Sequence, residues 1–283
     1  ALALRPAPNV IAHDGAFAFP SLGESVEAVA AITVEHGEGT FTMRRTESGD
    51  WAMAAKHDYP VPLENVRKLV LGLADLRLFE AKTRRADRYS RLRVEDIAAE
   101  GAKSRLVTLE DAGGQTIARA IIGKRKNNLF GFRRDGTYLR MPGEDQAWLA
   151  EGAVRVETDP MRWLEQEIIS IPMGDVRTMV MRQPGGEELR VGKAARETPD
   201  FAVESPAEET PLDQSEVNFL ATGLAFLEMQ DVKPEGEIEF PDDPHRATYT
   251  SFDGMTINAE VMEQDGKYWG RFTVDYDAEA ATP

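Results

Sequence analysis

The residues of this chain best suited to chemistry form one short basic stretch. Between Gly123 and Arg140 there is a single acid, Asp135, among six basic residues. These are Lys124, Arg125, Lys126, Arg133, Arg134 and Arg140. Asn127-Asn128 is a turn signal, so the sequence predicts a β-hairpin over residues 123–140 with basic residues gathered near its tip. Such a cluster favours contact with an anionic partner, namely lipid headgroups, a glycan or an acidic protein face. A contact with the acidic half of the same chain remains open.

Residue types for catalysis or metal binding are sparse. Cysteine is absent, which removes thiolate metal sites and cysteine nucleophiles. The histidines are His13, His36, His57 and His245, and no two have a metal-binding spacing. No Gly-x-Ser-x-Gly elbow is present either. The sequence therefore predicts no metal site, no cofactor and no catalytic residue. Acid pairs such as Glu95-Asp96 and Glu187-Glu188 leave one enzymatic alternative, which is hydrolysis of a glycan by two carboxylates about 5–9.5 Å apart.

Length and charge bound the organisation of the chain. Its 283 residues suffice for one large domain or two of ordinary size. Residues 1–141 hold 22 basic and 18 acidic residues, a net charge of +4, and the remainder holds 11 and 31, a net charge of −20. The total of −16 argues against a general role on duplex DNA, and no nucleic-acid partner is expected. No apolar run approaches the roughly 20 residues that a membrane-spanning helix needs.

The elements around the basic stretch follow an order that occurs twice. Strand-like alternation begins at Val29 and again at Val176, and each series reads strand, strand, strand, helix, strand, strand. Both helical stretches contain Gly-Leu-Ala-x-Leu, at Gly72–Leu76 and Gly223–Leu227. The sequence thus predicts an α+β fold of two tandem repeats, each with antiparallel hairpins and one main helix packed on the sheet.

This organisation implies a set of boundaries. Residues 1–23 are expected to form an extended lead-in after a removed membrane anchor. Repeat unit 1 spans residues 24–155 and includes the basic hairpin at 123–140. Residues 156–171 are predicted as a connecting helix, residues 172–277 as the acidic repeat unit 2, and residues 278–283 as a tail.

Several short motifs, in order, resemble a known bacterial family. They include Trp51, Tyr59-Pro60, Leu73-Ala74-Asp75-Leu76-Arg77, Tyr89-Ser90-Arg91-Leu92, Gly123-Lys124-Arg125, Tyr138-Leu139-Arg140, Trp148-Leu149 and Trp163-Leu164. The family is domain of unknown function 4340. The resemblance implies an N-terminal membrane anchor, a body on the periplasmic side of the cytoplasmic membrane, and a gene beside ABC transporters of the gliding-motility type. The family has no established catalytic residues to carry over.

Two functions follow from these observations. The first is a non-enzymatic accessory module of an envelope ABC transport system that docks on the permease or auxiliary subunits, or on an anionic lipid or glycan. The second is the envelope hydrolase with paired carboxylates. The missing histidine and serine constellations favour the first.

Overall fold

The computed structural model describes residues 15–129, 134–206 and 213–281. The chain divides into two compact units, residues 1–165 and residues 166–283. Among the described residues, no helix is long and apolar enough to cross a membrane.

The first unit consists mainly of strands with one substantial helix. Its strands are β1 (Val29–His36), β2 (Gly39–Arg45), β3 (Trp51–Met53), β4 (Tyr59–Val61), β5 (Arg77–Thr83), β6 (Arg105–Asp111), β7 (Thr116–Leu129), β8 (Arg134–Arg140) and β9 (Ala147–Glu151). Its α-helices are α1 (Leu22–Ser25), α2 (Leu63–Ala74) and α3 (Tyr89–Leu92). The predicted lead-in is held to strand β5 near its end, because Phe17 forms a β-bridge with Arg77 and Leu78 N–H donates to Ala16 O at 2.8 Å.

All nine strands form one antiparallel sheet in the order β4-β3-β2-β1-β6-β7-β8-β9-β5. Its two faces follow from the two-residue period of a strand. One face is built from buried residues that include Ile32, Val34, Val107, Leu109, Ala120, Ile122 and Leu139. The other face carries a second core cluster of Tyr89, Val94, Leu106, Ile121, Leu129, Tyr138, Ala147 and Leu149. Residues 89–94 cover this second face, so residues 120–123 of β7 and 136–140 of β8 are buried on both sides.

The second unit has a smaller sheet. Its strands are β10 (Glu167–Ser170), β11 (Val176–Arg182), β12 (Glu188–Gly192), β13 (Ala202–Ser205), β14 (Phe226–Glu228), β15 (His245–Ser251), β16 (Met255–Gln264) and β17 (Lys267–Tyr276), and its helix is α4 (Gln214–Ala221). Six strands form an antiparallel sheet in the order β13-β12-β11-β15-β16-β17, and β10 pairs with β14. Val217 and Ala221 of α4 join the core on this sheet with Met179, Val191 and Ile257.

The predicted fold class, α+β with one main helix packed on the sheet of each repeat, is wrong. Strands account for 44% of the described residues and helices for 18%, and the four α-helices in this part of the chain are short. The second helix is the clearest difference. It ends at Ala221, and Thr222 is its C-cap with φ −111° and ψ 9°, outside the helical range. Leu227 of the shared Gly-Leu-Ala-x-Leu sequence therefore lies in strand β14 rather than on a helix.

The strand order of the two large sheets is nevertheless alike over six strands. The run β3-β2-β1-β6-β7-β8 corresponds in position to β13-β12-β11-β15-β16-β17. The larger sheet continues beyond β8 with β9 and β5, whereas β17 is the last strand of the smaller one.

Residues 156–171, for which the sequence predicted a connecting helix, contain a 3₁₀ turn at Pro160–Trp163 and then strand β10. The carboxylate of Asp159 caps the turn by accepting from Met161 N–H at 2.9 Å. The β-branched pair Ile168-Ile169 that follows favours a strand over a continued helix.

Helix α2 offers a matched test of the core. Leu73 is 2% exposed and Leu71 is 47% exposed on the same helix. Leu73→Ala should lower the free energy of unfolding by about 2–5 kcal/mol, because it leaves a cavity. Leu71→Ala should change it by less than about 0.5 kcal/mol. Urea denaturation measures both, and equal losses would contradict the packing described here.

Candidate anion-binding face

Strands β7 and β8 form the hairpin that carries the basic stretch. Arg125 pairs with Thr137 and Lys126 with Gly136 in its register, and two irregularities interrupt the ladder. Lys124, Arg125, Lys126, Arg134 and Arg140 are all within the described residues, whereas Arg133 lies outside them. The six residues therefore have to be considered one by one.

Arg140 is a structural residue. Its side chain is 4% exposed, and its guanidinium stacks on the ring of Tyr89 at 4.6 Å. Nε donates to Val94 O at 2.9 Å and Nη1 to Glu144 O at 3.0 Å, and Nη2 pairs with Asp96. Because each group of the guanidinium has an internal partner, Arg140 is not available to a ligand.

Two further arginines of the hairpin are neutralised by acids beside them. Arg125 pairs with Asp135 at 2.5 Å, and Arg134 pairs with Glu151 on strand β9 at 2.5 Å. Both pairs are partly exposed, so each contributes little to stability. These pairs cancel the charges of the two arginines. Among the described residues of the hairpin, Lys124 and Lys126 are then the cations that have no acidic partner.

Lys124 and Lys126 lie on the same face of the sheet. The Lys124 ammonium stands over the ring of Tyr138 at 5.8 Å, and Tyr138 belongs to the second core cluster. Lys126 lies opposite Gly136 on β8. A Cβ added at Gly136 would lie 2.9 Å from the side chain of Leu149, which belongs to the same cluster, so Lys126 is on this face as well. Both ammonium groups therefore emerge beside the segment that covers this face.

That covering segment is itself basic, which reasoning from the hairpin alone missed. Residues 84–93 contain five arginines and one acid, Asp87. The segment lies directly on strand β7 at Gly123. A Cβ at Gly123 would lie 2.7 Å from the Val94 side chain and 3.0 Å from Arg93 O, and it would also collide with Leu92 O. The signal was present in the sequence as a density of arginines, but its position beside the hairpin depends on long-range packing.

The charges of this segment are largely uncompensated. Asp87 pairs with Arg85 at 2.8 Å, and Arg84 donates to the neutral side chain of Gln146. Within the described residues, no acid lies within salt-bridge distance of the remaining exposed arginines or of the two hairpin lysines. We call these residues the basic face: Arg88, Arg91, Arg93, Lys124 and Lys126.

Comparison with known proteins shows the family to which the chain belongs. The family model for "Domain of unknown function (DUF4340)" matches residues 51–249. This chain belongs to that family. No curated protein and no solved structure matches it. The matched part of the DUF4340 chain runs from the first residue of β3 into β15, so it includes the whole basic face.

The positive potential of the face affects a neighbouring residue of the DUF4340 chain. Burial, and next the charge of Arg93, lower the pKa of Arg105. Arg105 Nε is also buried without a hydrogen-bond partner in the structure. The charge of Glu157 acts in the opposite direction and raises the pKa of Arg105, but it only partly offsets burial and the repulsion from Arg93.

Arginines of the second unit behave differently. Arg182 and Arg246 both bind Asp243, Arg246 and Arg271 both bind Glu260, and further pairs hold Arg190 and Arg196. Hydrogen bonding to Arg182 is the main reason that the pKa of Asp243 falls to about 2. In this acidic unit, five of the six arginines are used internally.

The acids of the Glu95-Asp96 pair, considered for hydrolysis, have partners within the fold. Asp96 binds Arg140, and one oxygen of Glu95 accepts from Lys103 N–H at 2.6 Å. Within residues 15–129, 134–206 and 213–281, no group of three or more His, Asp or Glu side chains could hold a metal ion.

The contact at Gly123 provides a test of how the basic face is assembled. Gly123→Ala should destabilise the protein by about 1–3 kcal/mol, because backbone oxygens of residues 92 and 93 stand where the methyl group would go. Gly39→Ala is the matched control, since a Cβ at Gly39 meets nothing within 4 Å. Thermal unfolding measures both. A Gly123→Ala protein as stable as the control would show that residues 92–94 do not press on β7.

Proposed function

We propose that this DUF4340 chain is a non-enzymatic accessory module of an envelope ABC transport system, placed on the periplasmic side of the cytoplasmic membrane. In this proposal the basic face binds anionic lipid headgroups beside the transporter. The observation that carries it is the set of five exposed cations that have no acidic partner in the described structure.

The charge distribution supports an anionic ligand. The chain has a net charge of −16, so its acidic parts repel an anion. The basic face attracts an anion and therefore directs it to one place on the surface. Like charges held together on the basic face also repel each other. An anion bound there relieves that repulsion, because phosphate oxygens form charge-assisted hydrogen bonds with lysine and arginine.

A lipid surface fits the shape of this face better than a small anion does. The cations come from a strand and from the segment lying across it, and all five are exposed. Each basic residue near an anionic membrane contributes about 1 kcal/mol. Five such residues therefore give useful binding only when a membrane anchor or a protein partner adds to it. The resemblance to membrane-anchored envelope proteins encoded beside ABC transporters supports that arrangement.

Vesicle flotation tests the lipid contact. The protein should bind vesicles containing phosphatidylglycerol and not vesicles of phosphatidylcholine alone, and binding should weaken as salt rises. Arg91→Glu with Lys126→Glu should weaken binding by at least about 30-fold, since two attractive contributions of about 1 kcal/mol each are lost.

Arg67→Glu with Lys68→Glu is the matched control. It makes the same change of charge on helix α2 and breaks only the exposed Glu64–Lys68 pair. The control should bind vesicles nearly as the parent does. Equal losses in both variants would mean that total charge, and not the basic face, governs binding.

The transport role needs a separate experiment. Crosslinking of the anchored full-length protein in envelopes, followed by its purification, should recover an ABC transporter permease. Recovery that is unchanged after Arg91→Glu with Lys126→Glu would assign docking to another surface. Absence of any permease would contradict the accessory role while leaving the lipid contact to the vesicle result.

A further inference from the structure

Strand β17 leaves one edge of the six-stranded sheet open. Its ten residues pair with β16 on one side, and no described strand pairs with its other side. Eight of the ten residues are exposed. An edge of this length presents a row of unpaired N–H and C=O groups, which is a template for another strand.

The apolar face of the sheet also continues onto this edge without cover. Val274 lies opposite Ile257, and Tyr276 lies opposite Met255, both on the side of the sheet that faces the core. Yet Val274 is 59% exposed and Tyr276 is 70% exposed, and Tyr268 of the same strand is 75% exposed. Helix α4 is only eight residues long, and its core residues pack with the inner strands.

The first unit shows what occupies this position when the sheet is extended. Strand β8 stands at the same place in the strand order as β17, and β9 pairs with it along five residues. Tyr138 and Leu139 of β8 are consequently buried. Among the described strands, none stands beside β17 in this way.

The charges along β17 identify a suitable neighbour. Lys267 and Arg271 lie in the first half of the strand, and Asp275 and Asp277 lie in or just after the second half. Arg271 already binds Glu260 of β16, so Lys267 is the basic residue of β17 that has no acidic partner among the described residues. When two copies run antiparallel, the basic half of each lies opposite the acidic half of the other. We propose that β17 pairs with β17 of a second copy about a two-fold axis at Phe272 or Thr273, which joins two six-stranded sheets into one.

Both positions of the axis give complementary pairs. With Thr273 on the axis, Arg271 faces Asp275 and Phe272 faces Val274. With Phe272 on the axis, Tyr268 faces Tyr276 and Lys267 faces Asp277. Cross-strand pairs of these kinds stabilise antiparallel sheets. A single strand pair buries less than a standard interface of about 1,600 Å², so the dimer forms at micromolar or higher concentration.

Single cysteines test the symmetry directly, because the natural chain contains none. A residue on the axis lies about 4.5–5.5 Å from its own copy between Cα atoms, within disulfide reach. A residue two positions away lies about 13 Å from its copy. Under mild oxidation, Phe272→Cys or Thr273→Cys should form a disulfide dimer, whereas Gly270→Cys, Asp275→Cys and the distant control Lys103→Cys should not.

A charge on the edge provides the second test. Val274→Lys should weaken dimerisation by about tenfold or more, measured by sedimentation over a range of concentrations, because both copies then carry a buried ammonium at the joined edge. Phe226→Lys is the control, since Phe226 is equally apolar and 67% exposed on β14. A parent protein that remains monomeric at about 10⁻⁴ M, or cysteines that crosslink equally at all positions, would overturn the proposal. A monomer that instead binds an extended peptide at β17 would assign the edge to a foreign strand and equally refute self-pairing.

Discussion

Residues 92–94 can lie against strand β7 only because Gly123 has no side chain. That contact brings backbone oxygens and the Val94 side chain within a distance that a methyl group would not permit. It thereby closes the second core cluster around Tyr89, Ile121 and Tyr138. The same contact brings the backbone of Arg93 against Gly123, the residue before Lys124. The hydrophobic burial of one sheet face and the concentration of charge at its margin thus depend on the same glycine.

The two units differ in how far their arginines bind carboxylates. In the second unit, arginines bind carboxylates across adjacent strands, as when Arg246 and Arg271 share Glu260. These pairs lie in a part of the chain with a large excess of acids, and five of its six arginines bind a carboxylate. The first unit has no comparable excess, and its arginines at positions 88, 91 and 93 lie without one in the described structure.

The sequence predicted local features better than it predicted layering. Strands β7 and β8 do pair as the hairpin predicted over residues 123–140. The turn predicted at Asn127-Asn128 is wrong, because both residues lie within strand β7, which runs to Leu129 before β8 begins at Arg134. The fold class failed because two leucines of the second Gly-Leu-Ala-x-Leu stretch continue a helical spacing past Gly223, although the helix has already ended. Residue types also could not separate Arg140 from Lys126. Only the packing of Tyr89 and the loop at Val94 shows that one is buried and the other exposed.

The pairing of distant segments explains why the remainder could not be predicted. Strand β1 pairs with β6, about seventy residues later, and β11 pairs with β15 in the same manner. Periodicity specifies that each segment is a strand but not which strand lies beside it. A sheet assembled in this order has two edge strands. Whether another strand pairs with each of them depends on the segments before and after the sheet in the sequence. In the first unit the chain supplies β9 to pair with β8, and both faces of the sheet are then covered. In the second unit Asp277 N–H still bonds to Gly254 O beside β16, and no described strand lies on the other side of β17, so the backbone groups of that edge stay unpaired and Tyr268 and Tyr276 stay exposed.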